Sequence, residues 1–443
     1  MICIFIGARL GGLGLGVIGG LGVAVLVFIF QLNPASPPID VILIILAVIT
    51  AASCLQTAGG LDYLVSVAEK VLRKHPSRVT FLAPMVTYLF TLGAGTGHVA
   101  YSVMPVIAEV SREAGIRPER PMSVAAIASQ QAITCSPVSA ATAAIIAILT
   151  ADNYSNVSLG TVLAICLPAT FCGCMIAAFV MNFVGKELKD DEIYQQRVAR
   201  GEVEAMSSGP LIKEIRPGAK LSVALFLCGA VGVVILGLIR GETFAFLSPL
   251  KSLLFDRVVD GSTVTIGMPV AIEITMLVVA ALIVILCKVN VDKIVKGSVF
   301  QAGAIAVVAI FGVAWMGDTF FQTHKALIQN NIGDTIQAMP WLFAVALFVL
   351  SILLYSQAAT VRALMPLAVA LGINPYFCLA MFPAVNGYFF IPNYPTIVAA
   401  INFDRTGTTR IGRFVLNHSF MLPGFIATIS AVTIGFGIAF LIM

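Results

Sequence analysis

The sequence predicts an all-α polytopic membrane protein built on an inverted-topology repeat with two re-entrant or broken-helix hairpins. Three observations carry this expectation. Of 443 residues, 59% are hydrophobic and 11% charged, against about 45–50% apolar and about 25% charged in soluble domains. Apolar runs of near-spanning length recur from end to end, and about 20 apolar residues cross a bilayer core. A pattern of small polar residues, Met-Pro and Gly-Ile-x-Pro occurs twice, with opposite flanking charge.

The elements follow in chain order. Met1–Phe30 is apolar, glycine-rich and interrupted by Arg9. Gly14-Leu15-Gly16-Val17-Ile18-Gly19 fits the dinucleotide fingerprint, but that motif needs a strand before it and an amphipathic helix after it. Gly12, Gly16 and Gly20 are spaced four apart and read instead as a close helix-packing face. Further spans are expected at Asp40–Leu55, Val79–Gly93, Leu159–Val184, Leu221–Ile239, Ile266–Cys287, Val299–Phe321, Trp341–Tyr355 and Phe414–Ile442. Met122–Leu149 and Tyr376–Ile401 are apolar but broken by proline and polar residues.

Loop charge orients these spans. Glu69–Arg78 contains Lys70, Arg73, Lys74 and Arg78, and the positive-inside rule makes it cytosolic. Gln31–Pro38 is uncharged and reads as external. Gly185–Lys220 carries mixed charge and reads as a cytosolic linker, giving a membrane half at 1–184, a linker at 185–220 and a second half at 221–443. Lys288, Lys293 and Lys296 mark another cytosolic loop, as do Arg405, Arg410 and Arg413, while Gln322–Ala338 reads as external. The net charge of +4 is small and no nucleic-acid partner is expected; the lipid bilayer is. Nine cysteines lie in or beside apolar runs without a CxxC pair, so no metal and no cofactor is expected.

The repeat is the most informative pattern. Met104-Pro105 precedes Gly115-Ile116-Arg117-Pro118, and Met365-Pro366 precedes Gly372-Ile373-Asn374-Pro375. Gly93–His98 precedes one copy and Ser356–Thr360 the other. The first copy starts from the basic loop at Lys70–Arg78, and the second from the weakly charged loop at Gln322–Ala338. On this reading Arg112, Arg117 and Arg120 fall on the external side, against the charge rule.

Chemistry follows from the breaks. Proline interrupts a helix, and irregular backbone at membrane depth must be buried in protein or line a watery cavity. A helix N-terminus at such a break favours an anion, and hydroxyls and amides bind carboxylate oxygens without a buried full charge. The substrate-binding candidates in the first copy are therefore Thr96, His98, Gln130, Gln131, Thr134, Ser136 and Ser139. Ser356, Gln357, Thr360, Asn393 and Thr396 oppose them, and Pro137, Pro392 and Pro395 shape the hairpins. His98 reads equally as a substrate or proton-coupling residue and as a polar group satisfied between helices. Arg362 reads as a snorkelling arginine or a carboxylate partner, and Asp318 as an interfacial helix cap or a cation or proton site. A membrane-embedded enzyme would need a G-x-S-x-G or H-E-x-x-H pattern, and a channel a ring of charged pore residues; the sequence has neither. Without a Walker motif, an ion or solute gradient must supply the energy.

At these residues the chain resembles the anaerobic C4-dicarboxylate transporter (Dcu) family of bacterial inner membranes. The stretches are GARLGGLGLG from Gly7, AGGLDYLV from Ala58, GAGTGHVAY from Gly93, RPERPM from Arg117, SPVSAA from Ser136, LYSQAAT from Leu354, IPNYPT from Ile391 and DRTGTTRIGRFVLNHSF from Asp404. GHVAY is nearer the B-type members and LYSQAAT the A-type, which leaves the subtype open. The resemblance implies multi-pass placement in the inner membrane and antiport of fumarate, malate or aspartate against succinate. It also implies an ion-transporter-like fold with paired re-entrant hairpins, and a homodimer. Proton- or sodium-coupled symport of another small organic anion is the alternative. Only six residues precede Gly7, fewer than is usual in the family, so the side of the N-terminus stays open.

Overall fold

The structure is a computed structural model. It describes residues 1–443 except 1–2, 4–5, 8–9, 11–12, 38, 98, 152–156, 202, 204–213, 241–247, 260, 302, 306, 309–310, 313–314, 321–322, 325–337, 355, 393 and 413–415.

The chain begins with α1 (Leu13–Ala24) and α2 (Ile39–Thr57). α3 (Gly60–Lys74) bends away from residues 42–57 by 69° at Gly59, whose φ of +84° a glycine adopts without strain. α3 is amphipathic: Leu61, Val65, Ala68 and Leu72 are buried at helical spacing, and Arg73 and Lys74 suit its C-terminal dipole end. α4 (Val79–Ala94) ends at Gly95, φ +71°, and α5 (Val99–Glu113) follows at once and packs on it. α6 (Glu119–Gln131) tightens into a 3₁₀ turn at Ala132–Cys135, and α7 (Ala140–Ala151) resumes beyond Pro137. α8 (Leu159–Met181) opens on a capping box between Ser158 and Thr161.

α9 (Glu192–Ala199) lies in the linker, and α10 (Ala219–Arg240) returns to an apolar run. α11 (Ser248–Phe255) leads into a hairpin of β1 (Asp256–Val259) and β2 (Ser262–Thr265), pairing Asp256 with Thr265. This hairpin departs from the all-α expectation. β-branched runs flanking an Asp-Gly pair in the sequence account for it. α12 (Met268–Leu286), α13 (Val291–Ile294) and helical segments within 299–324 complete the central stretch. The described residues end with five α-helices, α14 (Trp341–Leu354), α15 (Gln357–Ala370), α16 (Pro375–Met381), α17 (Pro395–Phe403) and α18 (Met421–Ile442), with 3₁₀ turns at Phe382–Val385 and Gly387–Phe389 between α16 and α17.

Five helical stretches among the described residues are long and apolar enough to cross a membrane, or six if the bent pair counts as one span. One of them is 119–150, a single stretch of 32 residues, so Pro137 breaks this helix without turning it back. Pro395 is the first residue of α17, where its fixed φ and missing N–H suit a helix start. α18 begins at Met421, not at Phe414. Phe414 itself lies outside the described residues; among those before α18, Gly412 N–H donates to the Asn417 carbonyl and Ser419 N–H to that of Arg410.

The densest packing joins α8 to α18, with α6 and α16 against them. Small residues allow it. A Cβ on Gly173 of α8 would stand 2.5 Å from the Ala427 carbonyl oxygen, and one on Gly435 of α18 would stand 2.9 Å from that of Ala380. Outer faces of α10 and α12 expose Val231, Ile235, Ile274, Leu277 and Ile285. Such apolar exposure fits lipid contact.

The sequence reading sets Arg112, Arg117 and Arg120 at the end opposite the linker; Arg117 and Arg120 instead meet it. Arg117 pairs with Asp191, and Arg120 with Glu187 at 2.7 Å, both acids of the linker. Arg73, at the end of α3, reaches Glu113, at the end of α5, at 2.7 Å and Glu109 at 3.4 Å. α4 and α5 therefore start and finish at one end of the molecule, together with the basic loop Lys70–Arg78 and the linker.

Arg120 is the tightest of these contacts. It is 5% exposed and donates to the carbonyls of Val184 (2.7 Å) and Gly185 (2.8 Å) as well as to Glu187. Arg120→Ala strips a charged donor from both carbonyls, a loss on the order of 2–4 kcal/mol. Amide exchange across residues 184–191 should quicken strongly, while α10 and α12 keep wild-type protection; equal protection throughout would refute the clamp.

Candidate functional site

The segments 79–151 and 341–403 share an element order. Each has a helix, a short tip, a proline-containing helix, a glycine at positive φ, a helix running into a 3₁₀ turn, a break and a second short helix. The prolines are Pro105 and Pro366, and the glycines are Gly115 (φ +72°) and Gly372 (φ +71°).

The breaks meet at a network of amides. Gln357, the first residue of α15, donates both Nε2 hydrogens, to Gln130 Oε1 at 3.0 Å and Asn386 Oδ1 at 3.1 Å. Asn386 Nδ2 donates to Gln131 Oε1 at 3.2 Å and to the Pro383 carbonyl at 3.1 Å. Gln131 Nε2 donates to Thr428 Oγ1 on α18 at 2.9 Å. Gln130, Gln131 and Asn386 are at most 1% exposed, and Gln357 is 8% exposed. Buried amides of this kind must be paired. Here the pairing ties α6, the last helix before the first break, to the second break and to α15.

Backbone approach makes the meeting close. Gly97 rests on Gln130, whose Nε2 lies 2.0 Å from where a Cβ would be. Gly95 presses on Val138, with only 2.6 Å between a Cβ and that carbonyl oxygen. In the second copy Gly387 N–H donates to Ser351 Oγ on α14 at 2.8 Å. The positive end of α15 lies at Gln357 itself, with Ser356 capping it through a bond from Ala359 N–H. Neutral amides beside a helix N-terminus suit an anion's oxygens.

The expected residues divide. Gln130, Gln131 and Gln357 come together. Thr134, Ser139 and Thr360 donate to local carbonyls, Thr134 to Gln131 (2.7 Å), Ser139 to Ile133 (2.6 Å) and Thr360 to Ser356 (2.8 Å), and Ser136 donates across to Leu92 of α4 (2.7 Å). They stitch the breaks in place. Thr396, 1% exposed in the first turn of α17, has a hydroxyl without a partner among the described residues. Thr96 sits at the α4–α5 tip and is engaged there. His98 and Asn393 lie outside the described residues. Asp318, 9% exposed, is in electrostatic contact with Arg362 of α15.

Asn386, Thr428 and Ser351 were not among the expected residues. Asn386 had a signal, being the lone amide in the otherwise apolar run Cys378–Phe390. Tyr388 adds a further polar tip, donating to the Ala126 carbonyl at 3.3 Å and packing 4.7 Å from Tyr394.

Comparison with known proteins bears on this arrangement. The family described as anaerobic C4-dicarboxylate membrane transporter matches residues 1–443. The C4-dicarboxylate transporter DcuA of Wolinella succinogenes is 44% identical over 440 residues, covering 99% of this chain and 97% of that one. DcuA of Escherichia coli K12 is 46% identical over 437 residues, covering 98% and 96%. The anaerobic C4-dicarboxylate transporter DcuB of Escherichia coli O6:H1 is 40% identical over 432 residues, covering 96% and 94%. Among solved structures, the YdaH transporter of Alcanivorax borkumensis superposes with a TM-score of 0.53 at 16% identity, covering 96% of this chain and 87% of that one. MtrF of Neisseria gonorrhoeae gives 0.51 at 13%, covering 94% and 84%. At these identities the likeness is one of fold.

Proposed function

The chain belongs to the anaerobic C4-dicarboxylate membrane transporter family, so it is a multi-pass inner-membrane transporter and not an enzyme; from that premise we propose that it exchanges C4-dicarboxylates, among them fumarate, malate, aspartate and succinate, by antiport. The observation that carries the site is the amide network of Gln130, Gln131, Gln357 and Asn386 at the N-terminus of α15. A substrate carboxylate replaces the amide-to-amide bonds with charge-assisted ones, which are roughly twice as strong. Thr396 offers a free hydroxyl at the start of α17. Pro137, Pro392 and Pro395 hold the backbone open beside it, and Thr134, Ser136, Ser139, Ser356 and Thr360 fix its walls. Thr96, His98 and Asn393 complete the set of binding candidates.

The inverted repeat is part of this proposal. Its support is the shared element order, together with the way α6 begins, and α17 ends, beside the same loop: Glu119 N–H donates to Thr408 Oγ1 at 3.2 Å. In this arrangement α4–α5 and α14–α15 are the re-entrant hairpins, and 119–150 and 375–403 are the broken helices. The division into 1–184, a linker at 185–220 and 221–443 follows, as does a homodimer by likeness to the wider group.

Uptake of labelled fumarate into proteoliposomes, with and without internal succinate, tests the reading. Antiport predicts uptake that depends strongly on internal succinate. Uptake indifferent to internal succinate but driven by a proton or sodium gradient would replace antiport with symport.

A further inference from the structure

A polar cavity of about 430 Å³ lies at the linker end of the molecule, apart from the amide network. Its wall consists of Glu119, Arg410, Ile411, Gly412, Asn417, His418 and Ser419. Its lining residues are tied to one another by a bridge between Ile411 and His418 and by the bonds Arg410 N–H to Ser419 Oγ (3.0 Å) and Gly412 N–H to the Asn417 carbonyl (2.6 Å). The volume falls in the range of small-ligand pockets, roughly 300–1,000 Å³.

The charges in this cavity are unevenly committed. Glu119 is the acid of the wall, and both its oxygens are engaged: one by Arg117, the other by the Ser419 hydroxyl at 2.6 Å. His418 is neutral in this arrangement. Its Nδ1 accepts from Phe420 N–H at 3.2 Å, which leaves the proton on Nε2, facing the Phe390 carbonyl at 3.3 Å. Burial holds its imidazole below the ordinary range, partly offset by that carbonyl. The side chain of Arg410 is exposed, and its guanidinium has no hydrogen bond or ion pair among the described residues. The Asn417 amide lies over Gly412, and α18 starts at Met421 with its positive dipole end on the same loop.

We propose that this cavity is a second anion site, in which the planar fork of Arg410 binds a small dicarboxylate entering from the linker side. The ligand class rests on the transport reading above; the position of the site does not. A guanidinium fork matches a carboxylate bidentately, and the engaged Glu119 does not oppose it with a free charge. The site is also linked to the second break. His418 joins the cavity wall to the carbonyl of Phe390, which directly follows the Gly387–Phe389 turn. A dicarboxylate held here waits one side chain away from the interrupted helix that carries Asn386.

Equilibrium dialysis of labelled succinate against the purified full chain in detergent tests this. Two succinates should bind per wild-type chain. Arg410→Gln, on an exposed side chain whose loss leaves folding intact by size-exclusion chromatography, should leave one, with the other weakened at least tenfold. Gln357→Leu should remove the central one and keep the Arg410-dependent one. If Gln357→Leu removes none while Arg410→Gln removes one, the cavity site stands and the central reading falls. Unchanged binding in Arg410→Gln overturns the cavity site. Displacement of the Arg410-dependent succinate by equimolar inorganic phosphate, or by added phosphatidylglycerol, overturns its assignment to a carboxylate.

Discussion

Gln357→Leu should reduce succinate counterflow in proteoliposomes by at least about a hundred-fold, the loss of two charge-assisted hydrogen bonds of ~1.5–3 kcal/mol each. The side chain has the right size for leucine, so the backbone and the Ser356 cap can stay as they are. What disappears is the donor that now serves Gln130 Oε1 and Asn386 Oδ1. Both acceptors are buried, so the variant also loses stability, about 1–3 kcal/mol for each acceptor left unpaired. Gln357→Glu separates the two effects. It keeps shape and polarity but sets a carboxylate against two acceptor oxygens and against a dianionic substrate. It should be as inactive as the leucine variant, and proton uptake by the new carboxylate should restore part of its activity in acid. Wild-type counterflow in both variants, with protein that remains monodisperse, would remove the amide network from the transport path.

Gly173→Val should be the most damaging single change outside the site. Even the first carbon of a side chain would meet the Ala427 carbonyl oxygen at 2.5 Å and the Ala431 nitrogen at 3.1 Å. Those are backbone atoms of α18 and cannot rotate away. The helices must separate at the most densely packed helix pair among the described residues. Overpacking of this kind costs about 1–3 kcal/mol, and membrane helices have little hydrophobic drive to compensate for lost contact. The apparent melting temperature of the detergent-solubilised protein should fall clearly, and transport should fall with it. Gly437→Ala, on the same helix with nothing within 4 Å of the new carbon, should leave the melting temperature unchanged or raise it. Equal behaviour of the two variants would mean that the α8–α18 contact contributes little.

The membrane class, the spans at 159–184, 221–239 and 266–287, and the interrupted stretches were legible because each is written in local composition. Within lipid, a run such as Met268–Leu286 can satisfy its backbone only as a helix. Pro137 and Pro392 stand in breaks of the helices, where a residue without a backbone donor is tolerated. The amides Gln130, Gln131 and Gln357 were legible as candidates for the same reason, since polar groups in apolar runs need a partner. Their partners were not legible. Asn386 lies 255 residues from Gln131, and Thr428 lies 297 residues from it. No local pattern ties positions so far apart.

The sequence by itself therefore determined that this chain enters the membrane, where its helices break and which side chains stand at the breaks, because hydropathy, proline geometry and the cost of a buried amide are local properties. Only the tertiary structure decided that α4 and α5 return to the end from which they came. The ion pairs of Arg73 with Glu109 and Glu113, and of Arg117 and Arg120 with linker acids, carry that decision. Hydropathy reports how deep a segment can sit, not the direction in which it leaves. The hydroxyls of Thr134, Ser136 and Thr360 make the same point on a smaller scale: composition marked them as ligands, and packing gave them carbonyls of the protein itself.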